Sequence, residues 1–145
     1  MELDQEMMRE LMNEAKAIQD ELIPLVDKLK ENPNQSDVLL VISNIIDRIY
    51  GTAMTLGLKE IGGYTGVVKN ITRQCAAANI PRAYPEVFKI VENCVKNFDY
   101  LVGSIQDTKM RQKFLQKSII DMKRAKKIEE EIFAFSKDAN TILTK

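Results

Sequence analysis

Histidine does not occur in the 145 residues of this chain, and cysteine occurs only at Cys75 and Cys94. Without imidazole the chain lacks a side chain that is nucleophilic when neutral near physiological pH, and a conventional zinc site has few ligands to draw on. The two cysteines lack Cys-x-x-Cys spacing and are too few for the disulfide framework of a secreted domain. We predict that both thiols are reduced and buried, and that the chain binds no structural metal and no cofactor.

Glycine and proline are also scarce, with six Gly and four Pro in the whole chain. No β-branched run is bounded by paired turn signals, so β-strands have little support. A length of 145 residues with 45% hydrophobic and 29% charged residues suits one ordinary folded domain. The sequence therefore predicts an all-α protein.

Net charge is absent as well, because 21 basic residues balance 21 acidic ones. A nucleic-acid binder usually has a strongly basic domain, so nucleic acid is not an expected partner. No leading apolar segment resembles a signal peptide, and no apolar run approaches the ~20 residues that span a bilayer. We expect no transmembrane segment and a cytoplasmic location.

Charge is nevertheless uneven along the chain. Residues 109–127 contain eight basic residues and one acidic one, whereas residues 1–21 contain seven acidic residues and two basic ones. Charge complementarity within the chain or between subunits is the simplest interpretation, and contact with a membrane or with nucleic acid is the less favoured one. The sequence leaves the role of the basic segment open.

Apolar residues recur every three or four positions in five segments, which is the spacing of one helical face. We predict helices over about 3–31, from about 37 to Gly57, over about 59–78, after Arg82, and over about 108–142. Pro24 lacks an amide donor and crowds the preceding turn, so it predicts a kink or a break near Ile23. Ser36 is expected to cap the second helix, and Gly57 to end it.

Two of these helices carry unusual patterns. Gly62, Gly63 and Gly66 lie inside the third helix, where each costs up to ~1 kcal/mol relative to Ala, so they predict a kink or a close helix contact. The last helix carries a long apolar stripe that needs a partner surface, either the rest of the chain or a second copy. The stripe comprises Leu115, Ile119, Met122, Ala125, Ile128, Ile132, Phe135, Ala139 and Ile142.

The second helix contains the most specific motif, DRIYGTAMTLGL, which runs from Asp47 to Leu58. Its agreeing positions are Ile49, Gly51, Thr52, Ala53, Leu56 and Gly57. They stand in register with the motif of the histidine phosphotransfer (HPt) family, which reads His, any residue, Leu, Lys, Gly, Ser, Ala, two variable residues and Leu-Gly. The chain resembles that family over about residues 1–107. Asp47 replaces the phosphoacceptor His, and Tyr50 replaces the Lys.

The resemblance implies an up-down four-helix bundle of HPt type over residues 1–107. Residues 108–145 would form an additional long helix that packs on the bundle or dimerises. In the family, a Gly one turn beyond the His keeps the helix surface low, so that a receiver domain can approach closely. Asp47 and Gly51 keep that spacing. The expected partner-binding residues are Asn44, Asp47, Tyr50, Gly51 and Met54.

The predicted function is that of a pseudo-HPt in two-component signalling. Such a module would dock a response-regulator receiver domain or a histidine kinase without relaying phosphate, and it would have no catalytic residue. The first alternative is a structural oligomerisation protein, such as a homodimer, that works through the C-terminal helix. The second is a phosphotransferase that uses Asp47, but that chemistry needs Mg²⁺ and further acidic groups, which the surrounding helix lacks.

Overall fold

The computed structural model of the chain describes residues 4–133, and all regular structure in that range is helical. Five α-helices follow one another: α1 (Gln5–Glu31), α2 (Ser36–Thr55), α3 (Lys59–Ala78), α4 (Tyr84–Ser104) and α5 (Thr108–Ile128). A 3-10 turn, Pro81–Ala83, precedes α4, and a π-helical turn, Glu129–Phe133, follows α5. The predicted all-α class is confirmed for these residues.

Helices α1 to α4 contact one another in cyclic order. α1 packs against α2 and α4, α3 packs against the same two helices, and α5 lies on α4 and α3. Short links join consecutive helices, as is usual for helices that neighbour each other in space. The enclosed core contains Leu11, Ile18, Leu22, Leu39, Ile42, Ile46, Ile49, Val68, Val87, Val91 and Phe98, all buried.

Helix α1 continues through Pro24, so the predicted split is wrong, and the bend near Ile23 stays a prediction. Pro24 lies on the exposed side of the helix, where the carbonyl that loses its amide partner can bond to water. Leu22 and Val26, on either side of the proline, are both buried in the same core. Packing therefore keeps the two halves of α1 in one helix.

The start of α2 also differs from the prediction. Gln35 occupies the cap position and Ser36 is the first helical residue, without a side-chain cap bond. The Gln35 amide instead donates to the carbonyls of Lys28 and Asn32, at 2.9 and 2.7 Å, and so closes the C-terminal end of α1. At the other end, Gly57 follows the cap Leu56 with φ of +75°, which confirms it as the terminator.

The first half of α5 buries a face shifted by one residue from the predicted stripe, whereas Ala125 and Ile128 of that stripe are buried as predicted. Ile119 and Met122 are exposed, whereas the buried positions are Phe114, Ser118, Asp121, Ala125 and Ile128. Hydrophobic patterning misses this face because two of its residues are polar. Their polar groups are satisfied within the fold, so burial is possible. Phe135, Ala139 and Ile142 of the predicted stripe lie outside the described residues.

A polar cluster holds α5 against α3 and α4. The Tyr64 hydroxyl donates to one oxygen of the Asp121 carboxylate at 2.5 Å, and the Asn93 amide donates to the other at 3.3 Å. The Tyr64 ring meets Phe114 edge to face, with centroids 5.5 Å apart. Burial raises the pKa of Asp121, against the lowering effect of the hydrogen bonds from Tyr64 and Asn93.

This raised pKa predicts a pH-dependent stability. Folding favours the protonated carboxyl, so the stabilisation is complete below the ordinary Asp pKa of about 3.9 and is lost as pH rises through the raised value. Asp121→Asn cannot ionise, so its free energy of unfolding relative to wild type should increase as pH rises above about 4. Urea unfolding from about pH 4 to about pH 8 measures this difference, with a substitution at an exposed α1 residue, Asp20→Asn, as the control. Parallel curves for wild type and Asp121→Asn would contradict it.

The two cysteines are free and buried, Cys75 on α3 and Cys94 on α4. Burial raises the pKa of both thiols to about 12, so neither forms a thiolate near neutral pH. Both side chains therefore serve as small core residues rather than as reactive groups.

Among the described residues, α2 is the one helix long and apolar enough to cross a membrane by those two criteria. Five of its apolar side chains, Val38, Leu39, Ile42, Ile46 and Ile49, are buried, whereas Leu40 and Val41 are exposed. The five buried side chains pack within the helical assembly, as they would in the core helix of any folded domain.

Candidate protein-docking site

Helices α2 and α3 run antiparallel and exchange contacts at four successive levels. From one end to the other, Met54 lies over Gly62, Tyr50 lies over Gly66, Asp47 pairs with Lys69, and Asn44 pairs with Arg73. We call these eight residues together with Gly51 the α2–α3 face. Four of the five predicted partner-binding residues thus meet α3 in a single row.

Gly62 and Gly66 permit the close approach of the two helices. A Cβ atom at Gly66 would lie 3.0 Å from the Tyr50 ring, and one at Gly62 would lie 2.5 Å from the sulfur of Met54. α3 is unbroken, so close packing rather than a kink accounts for these two glycines. Gly63 is exposed with open space around it, and nothing in the packing explains it.

Lys69 contacts both central α2 residues of the α2–α3 face, Asp47 and Tyr50. Its Nζ atom lies 2.6 Å from an oxygen of Asp47 and 4.0 Å from the centroid of the Tyr50 ring. The Lys69 side chain is 14% exposed and that of Asp47 is 48% exposed. The ion pair and the cation–π contact together fix the orientation of Asp47 and Tyr50, although an ion pair this exposed adds at most about 1 kcal/mol to stability.

The outer part of the face is open. Gly51 is exposed, and a Cβ atom there would meet nothing within 4 Å. Met54 is 51% exposed, although it also covers Gly62. Ser43, which the helical pattern places on the same side, is instead buried and donates to the carbonyl of Leu40. Ser43 therefore does not contribute to the accessible surface, whereas Leu40, one turn before Asn44, is 46% exposed.

The other flank of α2 is engaged by α1. The Arg48 guanidinium donates to both carboxylate oxygens of Glu21, at 3.1 and 2.7 Å, and this hydrogen bonding lowers the pKa of Glu21. The Thr52 hydroxyl donates to the Glu14 carboxylate at 3.2 Å. Arg48 therefore turns to α1, while Lys69 is the cation that reaches Asp47.

The site offers little to a metal ion. Within residues 4–133, no three His, Cys, Asp or Glu side chains come close enough together to hold one. The single carboxylate of Asp47 already has a cationic partner. The site has one acid paired with a cation, one half-buried aromatic ring and an open surface at a glycine. Such an arrangement suits contact with another protein better than it suits stabilisation of a charged transition state.

Lys69 and Arg73 are functional candidates that the sequence interpretation missed. They follow Gly62 and Gly66 along α3 at spacings of three and four residues, which places all four on one helical face. That row was the available signal. To interpret this row as part of the site, one would have had to know that this face of α3 packs on α2 rather than on the core.

The glycine row gives a testable contrast. Gly63→Ala fills open space on an exposed helix and should raise the free energy of unfolding by about 0.5–1 kcal/mol. Gly66→Ala has the same intrinsic gain in helix propensity, but its Cβ displaces the Tyr50 ring. Its free energy of unfolding should therefore be at least about 1 kcal/mol lower than that of Gly63→Ala. Urea unfolding of the two variants measures the difference. Equal stabilisation would show that the Gly66 contact is unimportant.

No protein-family model matches the chain, and neither a curated protein nor a solved structure matches it significantly.

Proposed function

We propose that this chain is a non-catalytic HPt-like docking module, built on a four-helix bundle of HPt type with α5 as the additional helix. It binds a response-regulator receiver domain or a histidine kinase of a two-component system and does not relay phosphate. The observation that carries this proposal is the position of Asp47. The resemblance of the motif assigns Asp47 the position of the phosphoacceptor, and Asp47 lies on an accessible helix surface, beside Lys69 and one turn before the open Gly51.

The composition of the α2–α3 face supports binding. Tyr50 supplies an aromatic ring held in place by Lys69, Met54 supplies an exposed flexible apolar group, and Arg73 supplies a guanidinium. Aromatic residues, Met and Arg are the types enriched at the centres of protein interfaces. Gly51 leaves room for a partner side chain or backbone to approach the helix.

The same geometry argues against phosphotransfer by Asp47. A phosphorylated aspartate in a receiver domain depends on Mg²⁺ and on neighbouring acids, whereas Asp47 has a lysine at 2.6 Å and no cluster of acids around it in residues 4–133. Mimicry of phosphohistidine is equally disfavoured, because Lys69 cancels the charge of the carboxylate. Recognition by shape and by the neighbouring side chains is what remains.

A second candidate function is oligomerisation through α5. Ile119, Ile120 and Met122 are exposed on that helix at 51%, 52% and 37%, which is unusual for large apolar side chains so close together. A homodimer formed there would leave the α2–α3 face unused. The concentration dependence of mass in sedimentation equilibrium tests this alternative.

Affinity capture from a lysate of the source cells tests the proposed function. The wild-type chain should retain proteins with receiver or histidine-kinase domains, identified by mass spectrometry, and Gly51→Arg should not. Circular dichroism confirms that both baits are folded. If folded wild-type bait retains neither class, the proposed partner class is wrong.

A further inference from the structure

An apolar groove separates α3 from α5, next to the side of α3 that packs on α2. Its floor includes Val67 and Ile71 of α3, its wall is formed by Ile119 and Met122 of α5, and its volume is about 520 Å³. Lys123 and Lys126 of α5 also line it. We call this feature the α3–α5 groove. Ile119 and Met122 are one helical turn apart, so together they form a ridge against which another helix can pack.

Charge on α5 restricts what can occupy the groove. Helix α5 carries eight basic residues, and its one acidic residue, Asp121, is buried and hydrogen-bonded by Tyr64. Within residues 4–133 none of the α5 cations forms an ion pair, and none meets the acidic residues of α1, which the sequence suggested as partners. The groove is therefore apolar along its length and cationic at its edge, with Glu129 as the acidic residue in its lining.

We propose that the α3–α5 groove binds an amphipathic helix of another protein whose apolar stripe is flanked by acidic residues. The stripe covers Val67, Ile71, Ile119 and Met122, and the acidic flank lies beside Lys123 and Lys126. A helix with one apolar stripe fits a groove between two helices, and complementary charge selects it over other helices. Val67 also lines a pocket with Tyr50 and Met54, so the groove adjoins the α2–α3 face, but this interaction does not depend on the proposed function.

A second copy of the chain is the poorer occupant. A two-fold contact through this groove places the same patch on both sides, so two linings that each carry Lys123, Lys126 and only one acid, Glu129, face each other. Like charges placed opposite each other oppose association. An acidic partner is attracted by the same α5 lysines that repel each other when a second copy binds.

The test uses the full chain and a synthetic probe. The probe is a peptide of about 18 residues, or five helical turns, with Leu at spacings of three and four and Glu on both flanks. A matched peptide carries Lys in place of Glu. Fluorescence anisotropy measures the binding of each peptide, and we expect binding of the acidic peptide that weakens as salt is raised, and at least about tenfold weaker binding of the basic one.

Variants of adjacent residues locate the binding. Ile119→Glu places a charge in the groove and should weaken binding of the acidic peptide by at least about tenfold. Ile120→Glu is the matched control, because Ile120 is equally exposed but lies on the other flank of α5, beside Asn93 and Lys117. Lys123→Glu should weaken binding more than Lys117→Glu, although both change the total charge equally.

Several results would overturn the proposal. Equal affinity for the acidic and basic peptides, equal effects of Ile119→Glu and Ile120→Glu, or no binding to the folded chain would each do so. Sedimentation showing a wild-type dimer that Ile119→Glu dissociates would assign the groove to a second copy. Binding to phosphatidylserine vesicles that Ile119→Glu abolishes, without binding of the acidic peptide, would assign it to a membrane surface.

Discussion

Asp47→His is expected to convert this chain from a protein that takes no phosphoryl group into one that does. The wild type has a carboxylate at this position and no imidazole in the whole chain. In the variant, loss of the carboxylate leaves the Lys69 ammonium, now 2.6 Å from an Asp47 oxygen, to offset the charge of an incoming phosphoryl group. A neighbouring cation also lowers the pKa of the new imidazole and keeps it neutral and nucleophilic.

The expected reaction starts from a receiver domain phosphorylated on its aspartate. The imidazole nitrogen attacks phosphorus, a P–N bond forms, the P–O bond to the receiver aspartate breaks, and that aspartate leaves as a carboxylate. Radiolabel should move from the receiver that capture identifies to Asp47→His. Loss of the Asp47–Lys69 ion pair costs at most about 1 kcal/mol, so the variant should remain folded.

Three controls make this result specific. Asp47→Asn should take no label, because it has lost the carboxylate without gaining a nucleophile. Gln112→His places an imidazole on the exposed side of α5, away from the α2–α3 face, and should also stay unlabelled. The double variant Asp47→His, Gly51→Arg should lose transfer because docking is blocked. A receiver that binds wild type but does not label Asp47→His would show that it docks elsewhere.

Gly51→Arg should weaken binding of the receiver or kinase by at least about a hundredfold, or about 3 kcal/mol, while the fold keeps its stability. Gly51 is exposed, and nothing lies within 4 Å of where a Cβ would stand, so the arginine side chain meets no internal obstacle. It projects over the surface one turn beyond Asp47, where the partner is expected to approach. Replacement of an interior helical Gly by Arg should itself raise the free energy of unfolding by up to about 1 kcal/mol.

The controls separate bulk from charge and from helix propensity. Gly51→Ala changes propensity without adding bulk and should bind within about threefold of wild type, a difference of less than 1 kcal/mol. Gln112→Arg adds the same charge to an exposed position of α5 and should bind normally. Isothermal titration calorimetry and urea unfolding give both quantities. Gly51→Arg that binds as well as Gln112→Arg would exclude the α2–α3 face as the docking surface.

The helices were predictable where the spacing of apolar residues agrees with the local signals that start and stop a helix. α3 lies where expected, and α2 ends at Gly57 because a positive φ is needed there. The continuity of α1 through Pro24 was not predictable in the same way, because the cost of a missing hydrogen bond depends on whether that side of the helix faces water. Ser36 failed as a cap because Gln35, which carries no preferred capping group, closes the preceding helix instead.

The register of α5 shows a different limit. Patterning selects Ile119 and Met122 for the core because they are apolar, yet Ser118 and Asp121 are buried in their place. Those two side chains can be buried because Asn97 donates to the Ser118 hydroxyl at 3.3 Å, and Tyr64 to Asp121 at 2.5 Å. The donors come from α4 and α3, so no local reading of the α5 sequence could have found them.

Half of the candidate site was predictable from the sequence. The α2 residues follow from the motif, but the α3 residues that pair with them depend on how two helices pack. Gly62 and Gly66 indicated a close contact, and only the structure identifies Met54 and Tyr50 as what they contact. Lys69 changes the chemistry of the site most, because a carboxylate that appears free in the sequence is one half of an ion pair.

The most direct test of the central claim, that the α2–α3 face docks the partner, is an NMR titration of the isotope-labelled chain with the captured receiver or kinase domain. The account predicts that amide shift changes concentrate at exposed positions within residues 44–54 and 62–73, with α5 unaffected. Changes confined to α5, or absent while calorimetry records binding of the wild type, would contradict it.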